Sequence, residues 1–243
     1  MTPPDDGLRA LVLRTTPYRE SDLIVDLLTD GRGRIGVMAR GARKSRKRFG
    51  GALEVGTRLA VGLSRRSRGL PSLSSCDIIA PVMHIRADLD AFHQLAYSLE
   101  LARLLSTEGQ ADARGYALAA GFVDHLEAHG ATDEALVAWE LKLLAHHGYG
   151  LRLDTCVLTG GPPDGLSLRH GGAVSRRAAG VGDAMPVPTA VLATLAALER
   201  GEQGRISAAD RVGVRRLFAR VWSEITGFEL RTARFLTDGL AIG

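Results

Sequence analysis

At 243 residues, with 45% hydrophobic and 24% charged residues, the chain can bury one or two substantial cores and has the balance of an ordinary soluble globular fold. Two cysteines, Cys76 and Cys156, exclude a disulfide framework and supply no complete metal signature. The start Met-Thr-Pro-Pro-Asp-Asp lacks a basic, then apolar, leader, and no stretch reads as a membrane span, so a cytoplasmic protein is expected. The formal charge of +4 is unevenly spread. Between Arg32 and Arg68 lie twelve of the 31 Lys and Arg residues and one acid, Glu54, a local charge of +11 that leaves the remainder at about −7.

In chain order, the first eighty residues read as β. Short apolar runs fall at Leu8 to Thr16, Leu23 to Leu28, Gly36 to Arg40, Arg58 to Leu63 and Leu73 to Ile79, each bounded by Gly, Pro, Ser or Asp. Five such strands at this spacing predict a small barrel or sandwich. Leu23–Leu28 is read as a strand, with one or two buried helical turns as the alternative. After Pro81 the period changes. Leu89, Phe92, Leu95, Ala96, Leu99 and Ala102 share a helical face with Asp88 as N-cap. Further helices are expected over 114–127, over 133–147 with Thr132 as cap, over 189–200, and over 208–225 with Ser207 as cap. That last helix should bury Val214, Leu217, Phe218, Val221 and Trp222, and residues 150–185 read as irregular.

The ordered blocks Leu11-Val-Leu-Arg14, Tyr18-Arg-Glu-Ser-Asp22, Leu27-Leu-Thr29, Gly33-Arg-Ile-Gly36 and Ala39-Arg-Gly-Ala-Arg43 resemble the start of the bacterial RecO recombination mediators. The likeness continues through Leu141-Lys-Leu-Leu-Ala145, Gly148-Tyr-Gly-Leu151 and Leu230 to Leu236, and so spans nearly the whole chain. It implies an α+β fold: an OB-fold barrel over 1–80, a helical domain over 81–153 and 183–243, and a degenerate zinc-finger-like insertion over 154–182. It also implies a non-enzymatic role. RecO-type proteins bind single- and double-stranded DNA, anneal complementary strands and, with RecR, help load RecA onto strands coated by single-stranded DNA-binding protein.

The loop Arg40-Gly-Ala-Arg43-Lys44-Ser-Arg46-Lys47-Arg48-Phe49 holds six cations in nine residues, which repel one another unless a polyanion lies among them. Arg65, Arg66 and Arg68 form a second cluster on the next connection, and an OB-fold places such loops around one binding face. These residues, with Arg34, are the expected DNA contacts, directed at phosphate and so indifferent to sequence. Phe49 either stacks a base or anchors the loop. With aromatics only 5% of the chain, charge should dominate, with little preference between single and double strands. Such a surface would also lower the phosphate repulsion between two complementary strands.

In the family's zinc version two Cys-x-x-Cys pairs bind the metal. Here the aligned positions are Cys156-Val-Leu-Thr159 and Ser175-Arg-Arg-Ala178, so three of four thiolates are gone and no metal is expected. Packing by Val157, Leu158, Leu166 and Leu168 should replace it. Gly31-Arg-Gly33-Arg-Ile-Gly36 matches a dinucleotide fingerprint by letter, but β continues after it, so a hairpin turn is expected. No Walker A sequence is present, no cofactor is expected, and seven scattered histidines suggest no catalytic pair. Cys76 reads as a small buried hydrophobe. Arg103, Arg114, Arg215 and Arg216 are candidates to receive the acidic tail that the family resemblance assigns to the helical region. An RNA- or ribosome-associated OB protein is the alternative binding module, and a metal-dependent nuclease the alternative enzyme.

Overall fold

The computed structural model describes residues 7–45, 49, 51–64, 69–180, 182 and 184–238, the side chain of Asp238 excepted. Arg46, Lys47, Arg48, Arg65, Arg66 and Arg68 lie outside the described residues. The chain divides into two compact units, Met1–Gly130 and Ala131–Gly243.

The first unit opens with five strands: β1 (Leu8–Tyr18), β2 (Asp22–Thr29), β3 (Gly33–Ala39), β4 (Arg58–Ser64) and β5 (Ser72–Ala80). They close into a barrel of order β1-β2-β3-β5-β4, antiparallel throughout except for the β3–β5 seam, where Met38 pairs in parallel with Ser72. Leu23–Leu28 is therefore strand, paired along its length with β3. Alternation along each strand sends Ala10, Val12, Val25, Leu27, Val37, Ala39, Leu59, Val61, Leu63 and Leu73 into one core. Burying a Val or Leu side chain there contributes about 1.5–3 kcal/mol relative to leaving it exposed. A register shift between Val12 and Arg14 marks a bulge in β1.

β1 is buried on both faces, because Leu11 on its other side is fully excluded and helix α1 (Leu89–Leu105) packs against it. The Asp88 carboxylate accepts the Ala91 N–H at 2.9 Å, the expected N-cap. The buried face of α1 differs from the expected stripe. Leu95, Leu99 and Ala102 of that stripe are buried, together with Ala91, Gln94, Tyr97, Ser98 and Leu101, while Leu89 and Phe92 are exposed. Helix α2 (Ala113–His129) follows, capped by Asp112, and packs on α1. Glu127 on α2 receives the N–H groups of Met83 and His84 through Oε1 (2.9 and 2.7 Å) and of Ile85 through Oε2 (3.2 Å). The link between barrel and helices is thereby tied down. Burial raises the Glu127 pKa, but these N–H groups and His84 outweigh it and hold the carboxyl below its usual range.

The second unit begins with α3 (Asp133–His146), whose cap Thr132 accepts the Ala135 N–H. The segment expected to be irregular holds a three-stranded sheet of order β7-β6-β8: β6 (Gly165–Ser167), β7 (Gly172–Val174) and β8 (Met185–Pro186), with the one-turn helix α4 (Arg176–Ala179) between β7 and β8. Strands of two or three residues are too short to display a period. Then come α5 (Thr189–Glu199), α6 (Ala208–Thr226) and the short α7 (Ala233–Asp238). Ser207 caps α6, with Oγ accepting the Asp210 N–H at 3.2 Å. The five predicted core residues of α6 are all buried, and Arg215 is buried beside them.

Candidate nucleic-acid interface

Register places three connections at one end of the barrel. Tyr18 pairs with Asp22 across the β1–β2 turn, and Leu23 pairs with Ala39 at the end of β3. Ser64 and Ser72 close β4 against β5, and the Met38 N–H donates to Pro71 O at 2.8 Å. The 18–22 turn, the loop leaving β3 and the flanks of the 65–68 segment therefore share one rim.

Two of these connections are bonded into a single piece. Gly41 N–H donates to Asp22 Oδ1 at 2.8 Å and Arg43 N–H to Ser21 O at 3.0 Å. Arg43 Nη1 reaches the carbonyl oxygens of Arg19 and Glu20 at 3.2 and 3.3 Å. The Gly41 N–H, chiefly, holds the Asp22 carboxyl below its ordinary pKa, with Arg40 and Arg19 adding to the effect. Arg40, Arg43 and Lys44 are exposed and form no ion pair among the described residues.

The opposite end is different. Arg58 binds Asp124 of α2 at 2.9 Å, Arg9 binds Asp30 at 2.8 Å, and Arg34 lies 4.0 Å from Glu108. Arg34 also donates to Ser106 O, and its backbone exchanges hydrogen bonds with Thr107 and Gly109. Arg34, expected among the DNA contacts, lies apart from the basic loop. Six strand steps of roughly 3.3 Å place it about 20 Å from Arg40, at the end closed by the helices. Arg58, Arg9 and Arg34 at the closed end are ion-paired, whereas Arg40, Arg43 and Lys44 form no ion pair among the described residues, although Glu20 and Asp22 share their rim.

Phe49 resolves in favour of the anchor. It is 5% exposed and packs into the barrel core with Ala52 and Leu53, so its ring offers no face to a base. Arg215 is also corrected. Its side chain is 2% exposed and its Nη1 lies 2.9 Å from Oε2 of the fully buried Glu140, whose Oε1 accepts the Trp222 indole N–H at 3.1 Å. The positions of both were readable in the helical pattern: Leu136, Glu140 and Leu144 share one stripe, as do Arg215, Phe218 and Trp222. Of the other arginines proposed to meet a partner, Arg103 is half-buried, and Arg114 and Arg216 are exposed. Sequence reasoning left out Arg19, whose guanidinium sits 5.2 Å from the Tyr18 ring centroid.

The two aligned metal-site turns do meet. Ser175 N–H donates to Cys156 Sγ at 3.0 Å, and Cys156, Val174 and Ala179 form a small core joined by Val157 and Ala184. Leu166 is buried as expected, but Leu158 is exposed. Burial raises the Cys156 thiol pKa, while the Thr159 hydroxyl and the N–H groups of Ser175, Leu158 and Thr159 bring it down to about 7. One sulfur beside Thr159, Ser175 and Ala178 does not fit a tetrahedral zinc. No group of three or more His, Cys, Asp or Glu stands together among the described residues. Cys76 is half-buried against the barrel core, and burial, helped by Asp77, pushes its thiol up to about 11. No helix among the described residues is long and apolar enough to cross a membrane.

A closed five-stranded barrel in this strand order, with charged loops gathered on one rim, defines an OB-fold protein carrying an appended helical unit. Residues 7–82 match the family described as Recombination protein O N terminal, and residues 86–221 match Recombination protein O C terminal. The DNA repair protein RecO of Myxococcus xanthus is 35% identical over 234 residues, 94% of this chain and 96% of that protein. RecO of Geobacter sulfurreducens is 43% identical over 151 residues (62% of each), and RecO of Anaeromyxobacter sp. strain K is 38% identical over 208 residues (83% and 81%). The chain belongs to the RecO family of DNA repair proteins.

Proposed function

We propose that the chain is a DNA repair and recombination mediator that binds single- and double-stranded DNA at the open rim of its barrel and anneals complementary strands. With RecR it promotes RecA loading on strands coated by single-stranded DNA-binding protein. The observation that carries this reading is the contrast between the two barrel ends. Arginines at the closed end are ion-paired with Glu108, Asp124 and Asp30, whereas Arg40, Arg43 and Lys44, on a loop held in place by the 18–22 turn, form no ion pair among the described residues. A row of cations outside ion pairs, at fixed positions, lowers the cost of bringing phosphates together while leaving base edges free to pair. Arg46, Lys47, Arg48, Arg65, Arg66 and Arg68 add six cations in the same two stretches of sequence.

The mediator reading also assigns Arg103, Arg114 and Arg216 to the acidic tail of single-stranded DNA-binding protein, and places the protein in the cytoplasm at the nucleoid. The protein is not an enzyme, and the Cys156 turn folds on its own apolar contacts without zinc. Near-stoichiometric zinc in chelator-treated protein would overturn that last statement.

The decisive measurement is oligonucleotide affinity against salt. If roughly five phosphates are neutralised, the single-strand log–log slope is about −3.5, and replacing residues 43, 44, 46, 47 and 48 by alanine flattens it and slows annealing together. A binding constant indifferent to salt would end the proposal. Competition by RNA at matched salt separates it from an RNA-directed OB protein, and absence of Mg²⁺-dependent strand cleavage separates it from a nuclease.

A further inference from the structure

With Phe49 withdrawn into the core, the open rim still presents one aromatic ring, that of Tyr18, which is 37% exposed. Its position is built with some care. Tyr18 ends β1 and pairs with Asp22, so its backbone belongs to the barrel rather than to a free loop. The next residue, Arg19, has φ 52°, the one positive φ at a non-glycine position among the described residues. That conformation disfavours a side chain with a Cβ, and surrounding contacts must enforce it. They are present: Arg43 Nη1 grips the Arg19 and Glu20 carbonyls, and the Asp22 carboxylate grips Gly41. The result sets the Arg19 guanidinium over the Tyr18 ring.

We propose that Tyr18 is a stacking platform for an unpaired nucleobase, with Arg19 closing one ring face and the base taking the other. This rests on, and deepens, the reading of the rim as a nucleic-acid surface. Phosphates follow the cations of the 40–45 loop while one base turns onto the ring beside them. A duplex keeps its bases stacked on each other and makes only the phosphate contacts. Tyr18 therefore adds a contact that only an unpaired strand can make to a surface whose charge alone would favour neither form, and it releases that contact when the strand finds its complement.

The test compares wild type, Tyr18→Ala, Tyr18→Phe and Lys44→Ala by fluorescence anisotropy on a single-stranded oligonucleotide and on its duplex, across a salt series, with thermal midpoints as the folding control. Tyr18→Ala is expected to weaken single-strand binding roughly five- to 150-fold, the range for loss of one stacked base. Duplex binding should change less than about twofold, with the salt slope unmoved, and Tyr18→Phe should restore most of the loss. Equal affinities of Tyr18→Ala and wild type for the single strand overturn the proposal, as does an equal loss on both substrates. In those cases a salt-dependent wild type, with Lys44→Ala reduced on both substrates, leaves the charged rim standing. A wild type that retains neither oligonucleotide removes both readings together.

Discussion

Arg215 and Glu140 meet at 2.9 Å in the second unit with side chains 2% and 0% exposed, so α3 and α6 are joined by charges that water does not reach. Removing one partner strands the other charge in the interior, which costs about 3–5 kcal/mol, whereas replacing both by apolar residues of similar size removes both charges and leaves the buried Trp222 N–H unpaired, a cost of about 1–3 kcal/mol. Arg215→Ala should therefore lower the urea midpoint more than the pair Arg215→Met with Glu140→Leu. If the single change were as mild as the double, the ion pair would not be formed in solution.

Gly33 opens β3 with φ +62°, and a Cβ there would lie 1.8 Å from the Gln110 carbonyl oxygen. Gly33→Ala must push the α1–α2 loop off the barrel and should cost more than about 2 kcal/mol, a loss measurable as a falling thermal midpoint. Gly41 provides the control, since its φ is +68° but nothing lies within 4 Å of its Cβ position. Gly41→Ala should carry backbone strain alone. Matching midpoints for the two variants would contradict the close approach.

Arg43 and Lys44 are neighbours with separate duties. Lys44→Ala should flatten the single-strand salt slope by roughly 0.7, the value of one phosphate contact. Arg43→Lys keeps the charge but not the guanidinium Nη1 that donates to both carbonyls, so affinity should fall with the slope unchanged. An Arg43→Lys variant binding like wild type would show that the brace does no organising.

Glu127 sets a pH dependence. Its folded pKa is depressed, so the stability it contributes is present above the ordinary carboxylate value and is lost as pH falls through the lower, folded value. Glu127→Gln should cost about 1–2 kcal/mol at neutral pH, in the range of a lost helix cap. The gap between variant and wild type should narrow on acidification. Denaturant titrations at neutral pH and near pH 3 give both numbers, and a gap independent of pH would refute the assignment.

Strands, caps and the core of α6 were legible because each is signalled locally: short apolar runs bounded by turn residues at β2 and β4, Asp88, Thr132 and Ser207 one residue ahead of their helices, and an apolar stripe from Val214 to Trp222. The site was legible as charge but not as geometry. A run of arginines reads identically whether each faces solvent, a carbonyl or an acid, so Arg34 paired with Glu108 and Arg43 gripping Arg19 and Glu20 looked like two equal phosphate contacts. Phe49 sits among cations in the chain yet enters the core in space, a long-range fact that no window of sequence displays. The short strands near Cys156 lie below the length at which periodicity exists.

The double-sided burial of β1 bears on how this protein can be cut. A fragment ended at residue 80 would bare Leu11 to water and discard the Glu127 clasp on residues 83–85, so a sticky, poorly behaved product is the outcome to plan for. Carrying the fragment on to Gly130 retains both, and gives a minimal piece on which rim chemistry can be studied apart from the second compact unit.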